Sequence, residues 1–289
     1  MQNISDQQGR ALEYAIVAEI NRRIPSSQLQ LTQRALQDQH RDLQKYLNLS
    51  ASMQHDYQRC ADRLFDWLDI NFSISNQSLL IDRLPDRSSQ QGDVTDIRIS
   101  VGSQNINLSI KNNNLALKHQ RPASTAQHCG YRKGSSEDMQ FRKDYRNLTE
   151  TFLTSVQGYS YFRDLSPGVV ATNLYYPICN LVSKFISNFC GSPEHANHLF
   201  TFLVGRIDFY KIIFNIQRNL LLIQEFSQLS SITSITAQNN QSYVYVRFSN
   251  AWQISMRLHT ASSRITNSPS LKFDTQPVNI IVPEQQLIV

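Results

Sequence analysis

Cysteine is scarce in this 289-residue chain. Cys60, Cys129, Cys179 and Cys190 lie far apart and form no C-x-x-C pair. No disulfide framework is expected at this length, and a reducing, cytoplasmic setting fits. Nine glycines and nine prolines exclude collagen-like and linker-dominated architectures. No apolar run is long enough to span a bilayer; the longest patches are of the Leu220–Ile223 kind. Met1-Gln-Asn-Ile-Ser-Asp6 has no basic region followed by an apolar stretch, so no secretory signal is read there. Charged residues reach only 18% and apolar ones 40%, with Asn, Gln and Ser making up the balance. Even so, 14 Phe, 12 Tyr and abundant Leu and Ile supply a real core and exclude a wholly disordered chain.

The net charge of +5 is a mild excess, and its distribution is more telling than its size. Residues 1–92 carry 10 basic and 11 acidic side chains, residues 93–164 carry 10 and 7, and residues 165–289 carry 8 and 5. The positive balance therefore lies after residue 92. That permits a polyanionic partner without requiring one.

Periodicity places a helix at 9–24, where Leu12, Ala15, Ile16 and Ile20 recur at helical spacing until Pro25. Amphipathic helices follow at about 28–48 and 52–68. The polar break Asp86–Gly92 then gives way to strict alternation over 95–111. Further helices are expected at 113–119, 137–155, 177–190, 193–205 and 208–217, the fourth opened by Ser192-Pro193-Glu194. Strands are expected at 242–248, 252–258 and 271–282. No repeat or linker is evident, so one intertwined α/β or α+β domain over 1–289 is expected. It has a helical part at 1–90, a hairpin at 93–112, and a helical and β part at 113–289.

The alternating segment reads as a β-hairpin. A two-residue loop at Ser103-Gln104 sets Ile97 opposite Ile110, Ile99 opposite Leu108 and Val101 opposite Ile106, which places six apolar residues on one face. The same register sets Asp96 opposite Lys111 on the polar face. A carboxylate facing an amine suits phosphodiester hydrolysis with Mg²⁺. The acid is an oxygen ligand, and the lysine stabilises charge growing on the phosphate. Nucleases of the PD-(D/E)xK class share this layout, with an acid two positions before the lysine. Here that position is Ser109. An exposed Asp–Lys cross-strand pair is also a common surface feature, so the hairpin alone decides little.

The neighbouring residues say more. Gly92-Asp-Val-Thr-Asp96 followed by Leu108-Ser-Ile-Lys-Asn-Asn-Asn-Leu-Ala-Leu-Lys-His-Gln-Arg121 resembles the HaeIII family of type II restriction endonucleases. So do Gly9–Ile16, Leu203–Lys211, Trp252–Arg264 and Ser270–Asp274, in the same order along the chain. The resemblance implies a PD-(D/E)xK restriction-endonuclease-like core sheet flanked by helices, with extra helical and C-terminal β elements. It also implies a Mg²⁺-dependent enzyme of restriction–modification that cuts both strands of duplex DNA, with GGCC as the expected target. A DNA methyltransferase would be its genetic partner, with no physical contact implied.

Asp96 matches the second acid of the family's Gly-Asp-Val-x-Asp block, and Lys111 matches the catalytic lysine. Asp93 is a second ligand or a turn former. Ser109 cannot supply negative charge, and Glu13 on the first helix is the replacement, unless it is an ordinary solvated helix acid. The family pattern carries histidines where this chain has Asn112 and Asn114, so a histidine mechanism is not expected. A palindromic target suggests a two-fold homodimer, although a monomer can cut the strands in succession.

Guanine O6 and N7 in the major groove suit Arg and Lys, and cytosine N4 suits acceptors. The candidate readers are Lys118, His119 and Arg121, then His259, Ser262, Ser263 and Arg264 with Lys272. Arg132, Lys133, Arg142 and Lys143 read as solvated charge. His195 and His198 lack a third ligand for zinc, and His128-Cys129 lacks an orienting group for a thiol nucleophile. Phe185, Phe189, Phe200, Phe202 and Phe214 read as core, and Asp208–Lys211 as packing or a salt bridge. Two further readings fit the same residues: a DNA-binding protein of this fold that has lost catalysis, and a repair nuclease that recognises DNA form.

Overall fold

Ala11, Leu12, Ala15, Ile16 and Ile20 form one apolar stripe, and each is at most 1% exposed. They belong to α1 (Ile4–Arg23), whose last turn carries Arg22 and Arg23 where the helix dipole favours positive charge. β1 (Leu29–Leu31) follows, then α2 (Gln33–Leu47) and α3 (Ala51–Phe72). Thr32 Oγ1 caps α2 by accepting from Ala35 N, and Ser50 Oγ caps α3 by accepting from Met53 N. The computed structural model describes residues 4–85, 88, 92–113, 116–227, 231–278 and 282–289, with only the backbone for 4–6 and 119. Most of the expected polar break Asp86–Gly92 lies outside these residues.

The chain packs as two compact units, each assembled from segments far apart in sequence. The first comprises Met1–Leu115, Arg206–Leu229 and Val282–Val289. Its seven-stranded sheet runs β1-β2-β3-β4-β6-β7-β12. The strands not yet placed are β2 (Leu79–Arg83), β3 (Ile97–Val101), β4 (Gln104–Asn112), β6 (Phe209–Asn215), β7 (Leu220–Phe226) and β12 (Glu284–Ile288). One face of β3 and β4, built from Ile97, Ile99, Ile106, Leu108 and Ile110, packs into the same core as α1 and α3.

The second unit comprises Ala116–Gly205 and Ser230–Ile281. Its sheet runs β5-β11-β10-β9-β8. These strands are β5 (His119–Gln120), β8 (Ile235–Asn240), β9 (Tyr243–Phe248), β10 (Gln253–Thr260) and β11 (Leu271–Val278). Its helices are α4 (Thr125–His128), α5 (Ser136–Ser155), α6 (Tyr176–Phe189) and α7 (Pro193–Leu203). Ser192 caps α7 through His195 N, as its sequence signal suggested.

Three expectations are corrected. The hairpin register is two residues from the one expected: Ile97 pairs with Leu108, Ile99 with Ile106 and Val101 with Gln104. The loop is Gly102-Ser103, because Gly102 takes φ +57, a conformation that glycine adopts without strain at the first position of such a turn. A shift of two preserves which face each side chain occupies. The helix expected at 208–217 is strand β6, parallel to β4. Its mostly apolar run, buried on both sides, has no period that separates helix from strand. The helix expected at 113–119 is also absent from the described part of that stretch. Asn113 turns the chain at φ +55, and Leu117 N and Lys118 N donate to Thr275. Asn114 and Leu115 lie outside the described residues. The phenylalanine cluster is divided too. Phe214 packs on Tyr57 in the first unit, Phe185 and Phe200 are buried in the second, and Phe189 is 46% exposed.

His128 gives the second unit a pH-dependent stability. It stacks on Phe202 at 3.8 Å, with Nδ1 2.9 Å from Gln120 Oε1. Burial pushes its imidazole down to about 3 from 6.5, aided by the charges of Lys118 and Arg142. Between those values the unfolded chain holds the extra proton. This stability is therefore complete above the unfolded value and is lost as pH falls, by up to about 1.4 kcal/mol per pH unit. Urea midpoints at about pH 7 and about pH 5 should show the decline, and His128→Phe, which retains a stacking ring, should flatten it. An equal decline in both proteins would exclude His128 as the cause.

Candidate active site

Asp96 sits one residue before β3, where the backbone ladder runs out. Its N–H still donates to Leu108 O at 2.8 Å. Its carboxylate then takes over the ladder's role, with Oδ2 accepting from Ile110 N at 2.6 Å. The same oxygen accepts from Lys111 Nζ at 3.3 Å and from Ser109 Oγ at 3.4 Å. The corrected register thus leaves Asp96 and Lys111 on one face and in contact, diagonally and not directly opposite. Both side chains are partly exposed.

Glu13 approaches from α1. It is 6% exposed, and its Oε2 accepts from Arg10 Nη1 at 3.1 Å and from Arg83 Nη2. Burial raises its pKa, and the charge of Asp96 raises it further; Arg83 and Arg10 oppose both. Arg83 in turn bonds Asp42 Oδ2 at 2.9 Å. Burial would raise Asp42, but hydrogen bonds from Arg41 and Lys45 and the charge of Arg83 outweigh it and hold it at about 2.

Asp93 is engaged elsewhere. Its Oδ1 accepts from Thr95 N at 3.2 Å and its Oδ2 from Arg98 Nη2 at 2.7 Å, the arrangement of a turn former. Asn112 Nδ2 donates to Tyr57 OH at 2.8 Å, which ties the end of β4 to α3.

Sequence reasoning passed over Arg83, Asp42, Arg10 and Lys211. Lys211 of β6 pairs with Ser109 of β4 and is 1% exposed. Burial pushes its amine down to about 7, with the charge of Lys111 adding to the effect. Its signal was the Asp208–Lys211 block, but only the parallel pairing of β6 with β4 makes that block meaningful. Arg83 had no signal beyond being a charge beside Asp82 at the end of a short strand.

The three donors to Asp96 reach Oδ2 and both arginines reach Glu13 Oε2, so each carboxylate keeps an oxygen outside these bonds. Among the described residues no three His, Cys, Asp or Glu side chains gather as a metal cage. Two carboxylates fit a small, hard divalent cation that retains several waters and takes its remaining ligands from a phosphate.

The other candidates lie in the second unit. Lys118 Nζ donates to Phe202 O at 2.9 Å and sits 3.8 Å above that ring. The backbone of His119 pairs with Asp274. Arg121 Nη1 donates to Ser270 Oγ at 3.2 Å. His259 pairs across the ladder with Lys272 and holds Nε2 3.0 Å from Asp274 Oδ2. Ser262 Oγ accepts from Arg264 N, and Ser263 O from Phe162 N, both at 3.1 Å. Arg264 lies over the Tyr161 ring at 5.6 Å, and no carboxylate among the described residues pairs with it. His195, once weighed for zinc, stacks on Tyr131 at 4.2 Å and meets Cys129 O at 2.7 Å.

A mixed sheet that presents an acid and an amine at the open end of its central hairpin, with a helix behind it, is a restriction-endonuclease fold. The family model described as "HaeIII restriction endonuclease" matches residues 9–242 and 228–281. The chain belongs to that family, and so is a nuclease, a hydrolase acting on DNA. It is 24% identical to the type II restriction enzyme HaeIII of Haemophilus aegyptius over 328 aligned positions, covering 97% of this chain and 96% of the relative. No solved structure matches it. No helix among the described residues is long and apolar enough to cross a membrane.

Ser109 and Asp96 differ in how much the geometry asks of them. Ser109→Ala removes one long hydrogen bond and should leave cleavage within about fivefold of wild type. Asp96→Asn removes the charge that meets Lys111 and should lower kcat by roughly a hundredfold or more. Single-turnover cleavage of a plasmid measures both. A hundredfold loss in Ser109→Ala would make the hydroxyl a participant.

Proposed function

We propose that this chain is a type II restriction endonuclease that makes site-specific double-strand cuts in DNA by Mg²⁺-dependent phosphodiester hydrolysis, with GGCC as its target. The contact between the Asp96 carboxylate and the Lys111 ammonium carries this reading, because it places an oxygen ligand and a positive charge together at the end of one hairpin. The family match supports the substrate class, and the named relative supports the type II assignment.

Asp96 and Glu13 would hold the Mg²⁺ ion, which when bound supplies Lewis-acid polarisation of the scissile phosphate. Lys111 holds its ammonium where negative charge grows on the phosphate oxygens. The backbone N–H of Ile110 keeps Asp96 from rotating away as DNA enters. Asp93 keeps the turn before β3 in shape. Arg264, with Tyr161 behind it and no carboxylate among the described residues to neutralise it, is suited to guanine O6 and N7, and Lys272 and Arg121 to phosphates. A palindromic target suits a two-fold homodimer with one site per strand. A methyltransferase that marks the same sequence is the expected genetic partner.

Incubating a plasmid of known sequence with Mg²⁺ and mapping the ends tests target and reaction together. Discrete double-strand ends at GGCC are expected. Lys111→Ala should abolish cutting while leaving folding and duplex binding near wild type. Binding without cleavage in either Mg²⁺ or Mn²⁺ would instead favour a protein that has lost catalysis, and ends that follow DNA form would favour a repair nuclease.

Recognition has its own test. Arg264→Ala should weaken binding to a GGCC duplex by about 1–3 kcal/mol and bring it close to binding of a scrambled duplex. Anisotropy titrations at several salt concentrations separate this from loss of a phosphate contact, which would weaken both duplexes alike.

A further inference from the structure

We propose that Arg83 is the positioning residue for Glu13, holding that helix-borne carboxylate in register with Asp96. The inference rests on the reading of Glu13 as the acid that stands in for the one missing at Ser109. The end of β2 is tied to both carboxyl-bearing residues. Leu84 N donates to the Asp96 carbonyl at 3.1 Å, and Arg83 Nη2 donates to Glu13 Oε2. Two consecutive residues therefore set the offset between the acid beside β3 and the acid on α1.

The guanidinium itself is held in place. Arg83 Nη1 bonds Asp42 Oδ2 at 2.9 Å and Gln39 Oε1 at 3.3 Å, both on α2, and the side chain is 1% exposed. A planar fork shared between two carboxylates fixes direction as well as charge, which a lysine ammonium cannot do. Arg10, the other cation on Glu13, sits one turn away on the same helix and cannot set the position of α1 against the sheet. Arg83 Nε is buried with no acceptor among the described residues. The guanidinium is therefore held through its two terminal nitrogens, by Glu13, Asp42 and Gln39.

The test uses the full chain and four variants: Arg83→Lys, Glu13→Gln, the two combined, and Asp42→Asn. Thermal midpoint, kcat and KM on plasmid DNA, and Mn²⁺ binding to the DNA-free protein by EPR are measured for each. Arg83→Lys should lower kcat about tenfold or more, leave KM within about twofold, and weaken Mn²⁺ binding about fivefold. Glu13→Gln should do at least as much, and adding Arg83→Lys to it should cause no further loss. Asp42→Asn, which keeps the guanidinium and removes its anchor, should move kcat and Mn²⁺ binding the same way by less. It decides the matter if Arg83→Lys does not fold.

A lowered midpoint with unchanged kcat and unchanged Mn²⁺ binding would reduce Arg83 to a brace and overturn the proposal. Losses that add in the double variant would overturn it too. If Glu13→Gln alone cuts and binds Mn²⁺ like wild type, the reading of Glu13 fails first, and that result is distinct from a failure at Arg83.

Discussion

The structure of the first unit turns on one hydrogen bond, from Ile110 N to the Asp96 carboxylate. It occurs where β3 has ended and β4 continues, so a side chain takes up a backbone donor that would otherwise be unmet. The geometric consequence is severe. A carboxylate bound to a backbone amide has little rotational freedom, and its distance from Lys111, one residue along β4, is then set by strand geometry. The central hairpin delivers the acid and the amine together because its two strands are of unequal length.

That inequality was half visible in the sequence. Alternation over 95–111 gave both strands and both faces correctly, since faces depend only on parity. Register depends on where the chain turns, and there Gly102 outweighed the Ser103-Gln104 alternative because of its positive φ. Glu13 was singled out because Ser109 left an acid to be found and the first helix offered one; that it is buried was not legible. Arg83 was not singled out, because nothing local distinguishes an arginine that will be buried between two carboxylates from one that will be solvated. Lys211 was hidden differently. Its strand is a central one, parallel to β4, whose mostly apolar run imitates a helix, and that partner strand is about a hundred residues away. Long-range pairings of this kind leave no local trace.

The second unit was read best where composition sufficed. Its C-terminal strands were placed from β-branched and aromatic alternation, and its basic residues from the charge balance after residue 92. What the sequence could not separate was which of those bases are already committed. Lys118 is held by a carbonyl and a ring, whereas Arg264 is held by a tyrosine alone. The difference is chemical. A cation bonded to a backbone carbonyl has used part of its donor capacity, while one lying across an aromatic ring has lost side-chain entropy and kept its charge for a partner.

Ser109 has a counterpart on the neighbouring strand. Ser109 and Lys211 are register partners on adjacent strands, and both are buried. An acid at position 109 would have lain beside the Lys211 amine and stabilised its charged form. With a hydroxyl there, burial and the repulsion of Lys111 act on Lys211 unopposed by that acid, and its pKa falls to about 7. On the helix side Glu13 accepts from Arg10 and Arg83, which oppose the upward push that burial and the charge of Asp96 give its pKa. The first unit thus carries one acid beside the hairpin, a second on α1, and on β6 a buried amine held closer to neutrality.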